Sequence, residues 1–245
     1  MNKSGIERIV LALDPGGESR AAIRTGTELA AALKVPFHCV FVEDEGLIGL
    51  ADLALARHFD LAGLGASQLD RELIEASFRV QARRIEADMR ETAARLGVKS
   101  QLEIVRGALS LSSLDLKRGD LLVMEGGVRP IAGLARLESR WPASACAAEI
   151  SVLVLRRGLG PRVVVGGPSG TELRISAVFG DLMTALSHRS MRLQPAPLGP
   201  DAASAGRWVE ELDCDLVVLE EQSVSPDFIA TILSEARCNV LILRE

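Results

Sequence analysis

Two consecutive glycines, Gly126 and Gly127, follow a run of four strand-type residues and are followed in turn by Arg129. Glycines at the end of a parallel strand allow backbone amides to approach a phosphate closely, and an arginine beside them adds positive charge. The flanking Glu125 and the later Glu138 bring negative charge into the same segment, and this charge repels phosphate. The segment therefore predicts either a phosphate-binding loop or one that has lost this ability.

A second glycine turn, in the sequence GGPSGTE, is a weaker candidate for anion binding. Backbone amides and hydroxyl groups at the start of a helix can bind phosphate or sulfate. The residues concerned are Gly167, Ser169, Gly170 and Thr171. A glycine turn with a capping hydroxyl has the same sequence, and it is the more frequent explanation of such a motif.

Residues suited to acid–base, metal or hydrolytic chemistry are sparse. The 245-residue chain has three histidines, and none lies in a motif with a nucleophile or at metal-ligand spacing: His38, His58 and His188. Its four cysteines are scattered, without paired spacing. Tyrosine is absent and aromatic residues make up 3%, which leaves little to stack on bases or sugars. We therefore expect neither a catalytic centre nor a metal site.

Composition and charge restrict the class of protein further. Hydrophobic residues make up 48% of the chain, enough for a sizeable core. A net charge of -5 and an isoelectric point near 5.4 disfavour nucleic acid and anionic membranes as partners. No signal peptide or long apolar span is visible, and the cysteines fit a reducing compartment. We therefore expect a cytoplasmic protein that does not insert into membranes.

Alternating strand and helix patterns predict an α/β fold. A long helix with apolar residues spaced by three and four is expected over residues 74–96, with Ser67 as its cap. The apolar segment from Leu47 to Phe59 is expected to cover the carboxyl edge of the sheet or to form an interface. The expected strands are Arg8–Asp14, Phe37–Asp44, Ser100–Gly107, Asp120–Gly127 and Ser151–Arg157. Strands joined by crossover helices predict a parallel sheet.

The pattern restarts near Gly158. RVVVGGPSG parallels RIVLALDPGG, DLVVLEEQ parallels DLLVMEGG, and the final VLILRE parallels SVLVLRR, in the same order. Three ordered matches indicate a tandem duplication, with a first domain at residues 1–157 and a shortened second domain at 158–245. The second copy lacks room for the long helix and for one strand, so we expect it to pack on the first.

These segments resemble the universal stress protein family, in a tandem form. The resemblance rests on a first strand ending in Asp14, on VFVED, VRGAL and DLLVMEGGVRPIAGLARL, and on the closing strand SVLVLRR. It implies two tandem doubly wound parallel sheets of universal-stress-protein (adenine nucleotide alpha hydrolase-like) type. It also implies pairing through the last strands, here Val152–Leu155 and Val240–Leu243, in an internal pseudo-dimer or a homodimer. Most members of the family have no established catalytic activity.

Many members of that family bind ATP through a loop after the fourth strand, with the spacing Gly, two residues, Gly, nine residues, then Gly and Ser or Thr. Here Pro130 replaces the second glycine and has no amide hydrogen, while Glu138 or Arg140 replaces the third. We therefore expect a degenerate site and no bound cofactor, ATP being the group that the family would supply. The residues that the resemblance assigns to nucleotide binding are Asp14, Val42, Gly126, Gly127, Arg129 and Ser139.

The sequence thus predicts a non-enzymatic regulatory or stress-response protein that acts on an unidentified protein partner through its surfaces. An ATP-responsive sensor with a divergent site in the first domain is the alternative, supported by Arg129 and Arg136. A weak nucleotide hydrolase ranks third, because a glycine loop binds phosphate without catalysing its transfer.

Overall fold

The protein, described by a computed structural model, alternates strands with helices along the chain. The structure describes residues 5–15, 19–51, 57–59, 66–68, 70–107, 111, 114–126, 149–168, 171, 174–175, 179–186, 190–195, 208, 211 and 213–244. In chain order, the elements are β1 (Arg8–Leu13), α1 (Ser19–Leu33), β2 (Phe37–Asp44), α2 (Glu45–Ala51), β3 (Arg57–Phe59), β4 (Ala66–Gln68), α3 (Arg71–Leu96), β5 (Ser100–Gly107), β6 (Asp120–Glu125), β7 (Ser151–Leu155), β8 (Arg162–Gly167), α4 (Gly180–Leu186), β9 (Ser190–Pro195), β10 (Leu216–Glu220), α5 (Pro226–Glu235) and β11 (Asn239–Leu243).

One nine-stranded sheet organises these elements, in the order β5-β2-β1-β6-β7-β11-β10-β8-β9, and β3 and β4 form a separate antiparallel pair. Neighbouring strands are parallel except at the contact between β7 and β11. We call β5, β2, β1, β6 and β7 the N-terminal strand group, and β11, β10, β8 and β9 the C-terminal strand group. Because β7 and β11 are antiparallel, the carboxyl ends of the two groups lie at opposite edges of the sheet.

The two strand groups have matching internal orders. In the first, β6 lies between β1 and β7; in the second, β10 lies between β8 and β11. The predicted contact between the closing strands is confirmed, since Val152, Leu153 and Val154 pair with Ile242, Leu241 and Val240. The α/β class is also confirmed, although the strands expected in two sheets form one continuous sheet. The division into domains at residue 158 stays a prediction.

The sheet is covered on both faces, which explains its nearly continuous apolar strands. In β1, Ile9, Leu11 and Leu13 face one apolar cluster, whereas Val10 and Ala12 face the other. The first cluster includes buried residues of α1, α3 and α4, and the second includes Trp208 and buried residues of α5. Burial of both faces in this way is typical of parallel sheets with crossover helices.

The long helix α3 begins at a different cap from the one expected. The Asp70 side chain accepts a hydrogen bond from the Glu72 backbone N–H at 2.9 Å, and Ser67 lies in β4. The prediction that Ser67 caps this helix is therefore wrong. Asp70 is suited to the position because its carboxylate both accepts the N–H and complements the positive end of the helix dipole. The predicted apolar stripe is largely confirmed, with Phe78, Ala82, Ile85, Met89 and Ala93 buried.

Two further segments test expectations made from the sequence. Helix α2 follows β2 directly, and its Ile48 is buried, so residues 47–51 lie at the carboxyl edge as expected. Strand β9 was not expected, although Met191 and Leu193 alternate with polar residues in it. No helix among the described residues is both long enough and apolar enough to cross a membrane.

Candidate functional site

The carboxyl edge of the N-terminal strand group brings together three of the residues assigned to nucleotide binding. Asp14 directly follows β1, Val42 lies near the end of β2, and Gly126 directly follows β6. Strand β1 pairs with β2 on one side and with β6 on the other, in register Leu13 with Phe41 and Ala12 with Met124. In doubly wound sheets, ligands bind in the crevice at such a reversal of strand order. Asp14, Val42 and Gly126 therefore lie at the edge of the sheet where doubly wound folds bind ligands.

Val42 belongs to the core of the protein. Its side chain is fully buried, and its residue pairs with Val105 of β5. It lies in the same apolar cluster as Val40 and Leu122, which are also buried. In the described structure, packing in the core thus accounts for the presence of a valine at this position.

Gly126 is required by the packing of β6 against β7. A Cβ atom at this position would lie 2.3 Å from Cγ1 of Val154, a distance that packed atoms do not adopt. The Gly126 N–H already donates a hydrogen bond to the Leu155 carbonyl oxygen at 2.7 Å. Its amide is therefore committed to the backbone rather than available for a phosphate.

An ion-pair network occupies the same edge beside β5. The Arg106 guanidinium donates to Oε2 of Glu43 through Nε at 3.0 Å and Nη2 at 2.9 Å, and to Oε1 of Glu75 through Nη1 at 3.2 Å. The hydrogen bond with Glu43 raises the pKa of Arg106, and the charge of Glu75 adds to this effect. Arg106 is the arginine of the VRGAL segment, and its charge is neutralised by these two carboxylates.

Further carboxylates lie at this edge. Asp44 ends β2, and its Oδ1 accepts a hydrogen bond from the Gly46 N–H at 2.7 Å at the start of α2. Glu125 ends β6 and is half-buried, and Asp14 ends the neighbouring strand. Asp14, Asp44 and Glu125 thus add three acidic side chains around the end of the strand group, beside Glu43, which is paired with Arg106. Their summed field disfavours a polyanionic ligand.

The remaining nucleotide-binding candidates lie outside the described residues: Gly127, Arg129 and Ser139, together with Pro130, Arg136, Glu138 and Arg140. Their assignment and the degeneracy of the loop stay predictions.

The second glycine turn lies at the opposite edge of the sheet, at the end of β8. The Thr171 N–H donates to the Pro168 carbonyl oxygen at 3.1 Å, and its Oγ1 donates to the same oxygen at 2.8 Å. A Cβ atom at Gly167 would lie 2.6 Å from Oγ1 of Thr171, so the glycine permits this close approach. Oγ1 of Thr171 is also 3.4 Å from Oγ of Ser223. These contacts support a glycine turn with a capping hydroxyl, whereas Ser169 and Gly170 lie outside the described residues.

Beside this turn lies a polar cluster that the sequence did not reveal. The buried Glu220, at the end of β10, accepts hydrogen bonds from the Arg174 guanidinium and from the Ser223 hydroxyl. Arg174 also donates to Oγ of Ser223 at 2.6 Å. Glu220 ends β10 as Glu125 ends β6, so a buried carboxylate with its own cation lies at the carboxyl end of this strand. The sequence showed the glutamate, but no short-range pattern links it to an arginine 46 residues earlier.

Of the histidines, His38 is the one whose side chain the structure describes, and it lies away from the candidate site. His38 is at the amino end of β2, where its Nδ1 is 3.2 Å from Nη1 of Arg8 and its Nε2 is 3.1 Å from Oε2 of Glu103. The side chains of His58 and His188 are outside the described structure. Within the described part of the chain, no group of three or more His, Cys, Asp and Glu residues could hold a metal ion.

Comparison of sequences finds no family model and no curated protein that matches the chain. Comparison of structures finds a putative universal stress protein from Pseudomonas aeruginosa UCBPP-PA14, with a TM-score of 0.55 and 11% identity, covering 99% of this chain and 94% of that one. A functionally unknown protein from Pseudomonas aeruginosa PAO1 matches over the same shares of the two chains, with a TM-score of 0.51 and 11% identity. At such low identity the likeness concerns the fold. The chain therefore has the fold of a universal stress protein structure.

Proposed function

We propose that this chain is a non-enzymatic, universal-stress-protein-like regulatory or stress-response protein that has lost ATP binding and acts through its protein surfaces. The observation that carries the proposal is the acidic carboxyl edge of the N-terminal strand group, in a fold shared with a putative universal stress protein. The fold forms the crevice, and the acidic side chains around it disfavour the binding of ATP.

The charge at this edge argues against ATP. A nucleoside triphosphate carries several negative charges, and a site for it needs amides, cations or a metal to balance them. Among the described residues, Arg106 is already held by Glu43 and Glu75, and the Gly126 amide is held by Leu155. To bind phosphate, Arg106 or the Gly126 amide would first have to break its present hydrogen bonds within the protein.

The corresponding edge of the C-terminal strand group is also unsuited to phosphate. Glu220 is 4% exposed and presents a carboxylate where an anion would have to approach. Arg174 could attract an anion only by leaving Glu220 and Ser223. A buried carboxylate that loses its cation is strongly destabilising, so this exchange is unfavourable.

The absence of catalysis is proposed on the placement of the reactive groups. His38 lies at the edge opposite the crevice and is engaged by Arg8 and Glu103. Within the described residues, the crevice itself offers carboxylates, glycine and valine. This set lacks the paired nucleophile and base that hydrolysis requires.

The deciding experiment is a search for nucleotide in the purified protein, followed by calorimetric titration with ATP, with and without magnesium. We expect no nucleotide to be released on denaturation, and a dissociation constant above about 1 mM. Gly127→Val is the matched variant, because it alters the glycine pair of the predicted loop, and we expect it to behave like the parent chain. Saturable one-to-one binding in the micromolar range that Gly127→Val abolishes would overturn the proposal and establish the ATP-responsive sensor.

A further inference from the structure

Cys214 and Cys238 lie beside each other at the amino ends of two neighbouring strands, β10 and β11. Leu216 pairs with Asn239, and the Asn239 N–H donates to the Asp215 carbonyl oxygen at 3.0 Å. Cys214 immediately precedes Asp215, Cys238 immediately precedes Asn239, and both cysteines belong to the same buried apolar cluster. In this register Cys238 lies opposite Asp215, one residue from Cys214. A strand spacing of about 4.8 Å and a rise of about 3.3 Å per residue then place the two Cα atoms about 6 Å apart, within the range of about 4.4 to 6.8 Å that a disulfide spans.

Two arginines at the end of β7 surround this pair with positive charge. Arg157 donates to the Cys214 carbonyl oxygen through Nη2 at 2.7 Å, and the same atom is 3.3 Å from Oδ1 of Asp215. Arg156 donates to the Leu233 carbonyl oxygen, at the end of the helix that leads to Cys238. Cationic surroundings favour the thiolate form of cysteine, which is the nucleophilic form.

The two thiols differ in their ease of ionisation. The hydrogen bond from Cys214, together with the charges of Arg157 and Arg156, lowers the pKa of Cys238, against the opposing effect of burial. The same hydrogen bond, together with burial and the charge of Asp215, raises the pKa of the Cys214 thiol. Cys238 is therefore suited to react first and Cys214 to follow.

Access to the pair is narrow. Cys214 is 2% exposed and Cys238 4% exposed, so bulky reagents cannot reach the sulfur atoms. Each cysteine is next in sequence to an exposed residue, Asp213 or Arg237. An oxidant of the size of hydrogen peroxide fits this arrangement.

We infer that Cys214 and Cys238 are an oxidation site at which a small peroxide forms an intramolecular disulfide. The Cys238 thiolate attacks one oxygen of hydrogen peroxide, breaks the O–O bond and becomes a sulfenic acid, while hydroxide leaves and takes up a proton as water. The Cys214 sulfur then attacks the sulfenic sulfur, loses its proton and displaces a second water. Two electrons pass from the thiols to the peroxide, giving one disulfide and two water molecules.

The disulfide would link β10 to β11 next to the residues that connect the strand groups. Arg156 also contacts the candidate site, since its Cγ would lie 3.7 Å from a Cβ at Gly126. Oxidation removes a thiolate from beside this arginine. The inference concerns the cysteines alone and holds whether or not the crevice binds a nucleotide.

Cys39 provides an internal control. It is fully buried in β2, and burial raises the pKa of its thiol. We expect it to remain reduced under conditions that oxidise the pair. Cys146, outside the described residues, is removed in a Cys146→Ser control, which should form the disulfide like the parent chain.

The test treats the full chain, folded and reduced, with hydrogen peroxide, then alkylates the remaining thiols after unfolding and maps the peptides by mass spectrometry. We expect a peptide that joins Cys214 to Cys238, two hydrogen atoms lighter than the reduced pair, and a loss of two of the four thiols. In Cys214→Ser, dimedone added as the oxidised chain is unfolded should label Cys238 as a sulfenic acid, whereas in Cys238→Ser it should leave Cys214 unlabelled.

Failure to find the joined peptide in a chain that has kept its far-ultraviolet circular dichroism would overturn the inference. Equal rates of thiol loss at Cys39 and at the pair would overturn it as well, since the surrounding charges would then confer no selectivity. Loss of the disulfide in Cys146→Ser would also contradict it, because the bond would then form through another cysteine.

Discussion

The Oδ1 atom of Asn239 accepts a hydrogen bond from the backbone N–H of Arg156 at 2.8 Å, which joins the start of β11 to the end of β7. The same oxygen accepts from the Arg157 N–H at 3.1 Å, and Nδ2 donates to the Asp215 carbonyl oxygen at 2.9 Å. At the other end of the strand pair, Oγ of Ser151 accepts from the Arg244 N–H at 3.0 Å. The first residue of each closing strand, Ser151 in β7 and Asn239 in β11, thus has a buried polar side chain. This side chain hydrogen-bonds to the backbone that directly follows the other closing strand.

We expect Asn239→Ala to lower the free energy of unfolding by about 2 to 4 kcal/mol, because the Arg156 and Arg157 N–H groups lose their acceptor and the Asp215 carbonyl oxygen loses one of its donors. Ser151→Ala should cost less, about 1 to 2 kcal/mol, since it removes fewer bonds. Urea unfolding followed by circular dichroism measures both. Ser234→Ala, which removes an exposed hydroxyl on α5, is the control and should change stability by less than about 0.5 kcal/mol. An Asn239→Ala chain as stable as this control would contradict the role assigned to the asparagine.

The sequence predicted the strands well because their signal is local. The runs of β2 and β5 were expected at the bounds the structure has, and the contact between the closing strands followed from their apolar character and from the family resemblance. The strand β9 was missed because its apolar residues are few and no glycine or proline marks its start. Contacts between residues that are far apart in the sequence could not be predicted in this way. The pairing of Arg174 with Glu220, for example, depends on the fold that brings them together.

The sequence predicted where some of the candidate residues lie in the fold, whereas their role in binding stays a prediction. Asp14 and Gly126 lie where the resemblance placed them, at the ends of β1 and β6. The sequence could not reveal that the Gly126 amide is held by Leu155, or that Arg106 is held by Glu43 and Glu75, because both depend on neighbouring strands and helices.

The Asp215 carboxylate should make stability depend on pH. Hydrogen bonds from Arg162 lower the pKa of Asp215, so the ionised carboxylate stabilises the folded chain. This contribution is present above the ordinary aspartate pKa of about 3.9 and is lost as the pH falls through the lowered value. Asp215→Asn should therefore be less stable than the parent by about 1 kcal/mol at pH 7, and the difference should shrink between about pH 4 and pH 2.

Unfolding free energies measured across this pH range test the assignment. Asp213→Asn is the matched control, because Asp213 also pairs with Arg162 but its side chain is 81% exposed. Its effect should be small at every pH, since exposed ion pairs contribute little. A difference between Asp215→Asn and the parent that stays constant from pH 7 to pH 2 would show that the carboxylate charge is not responsible.

Gly26 should resist replacement although it lies in a helix. A Cβ atom there would lie 2.6 Å from Cε2 of Phe37, whose ring is buried in the core. Alanine favours a helix over glycine by about 1 kcal/mol, but overpacking a core costs about 1 to 3 kcal/mol. We expect Gly26→Ala to lower the melting temperature. The matched control is Gly49→Ala in α2, where a Cβ would meet no atom of the described residues within 4 Å and the melting temperature should be unchanged or higher. Equal effects of the two substitutions would contradict this prediction.

The cluster of Arg174, Glu220 and Ser223 should behave as one unit in a double-mutant cycle. Arg174→Met leaves the buried Glu220 carboxylate with the Ser223 hydroxyl as its described partner, and we expect it to lower the free energy of unfolding by about 2 to 4 kcal/mol. The effect should lie at the lower end of that range because the Arg174 side chain is 54% exposed. Glu220→Gln removes the buried charge, so adding Arg174→Met to it should cost less than Arg174→Met costs alone. Urea unfolding of the four chains gives the coupling energy, and a coupling close to zero would show that the arginine does not compensate the carboxylate at the end of β10.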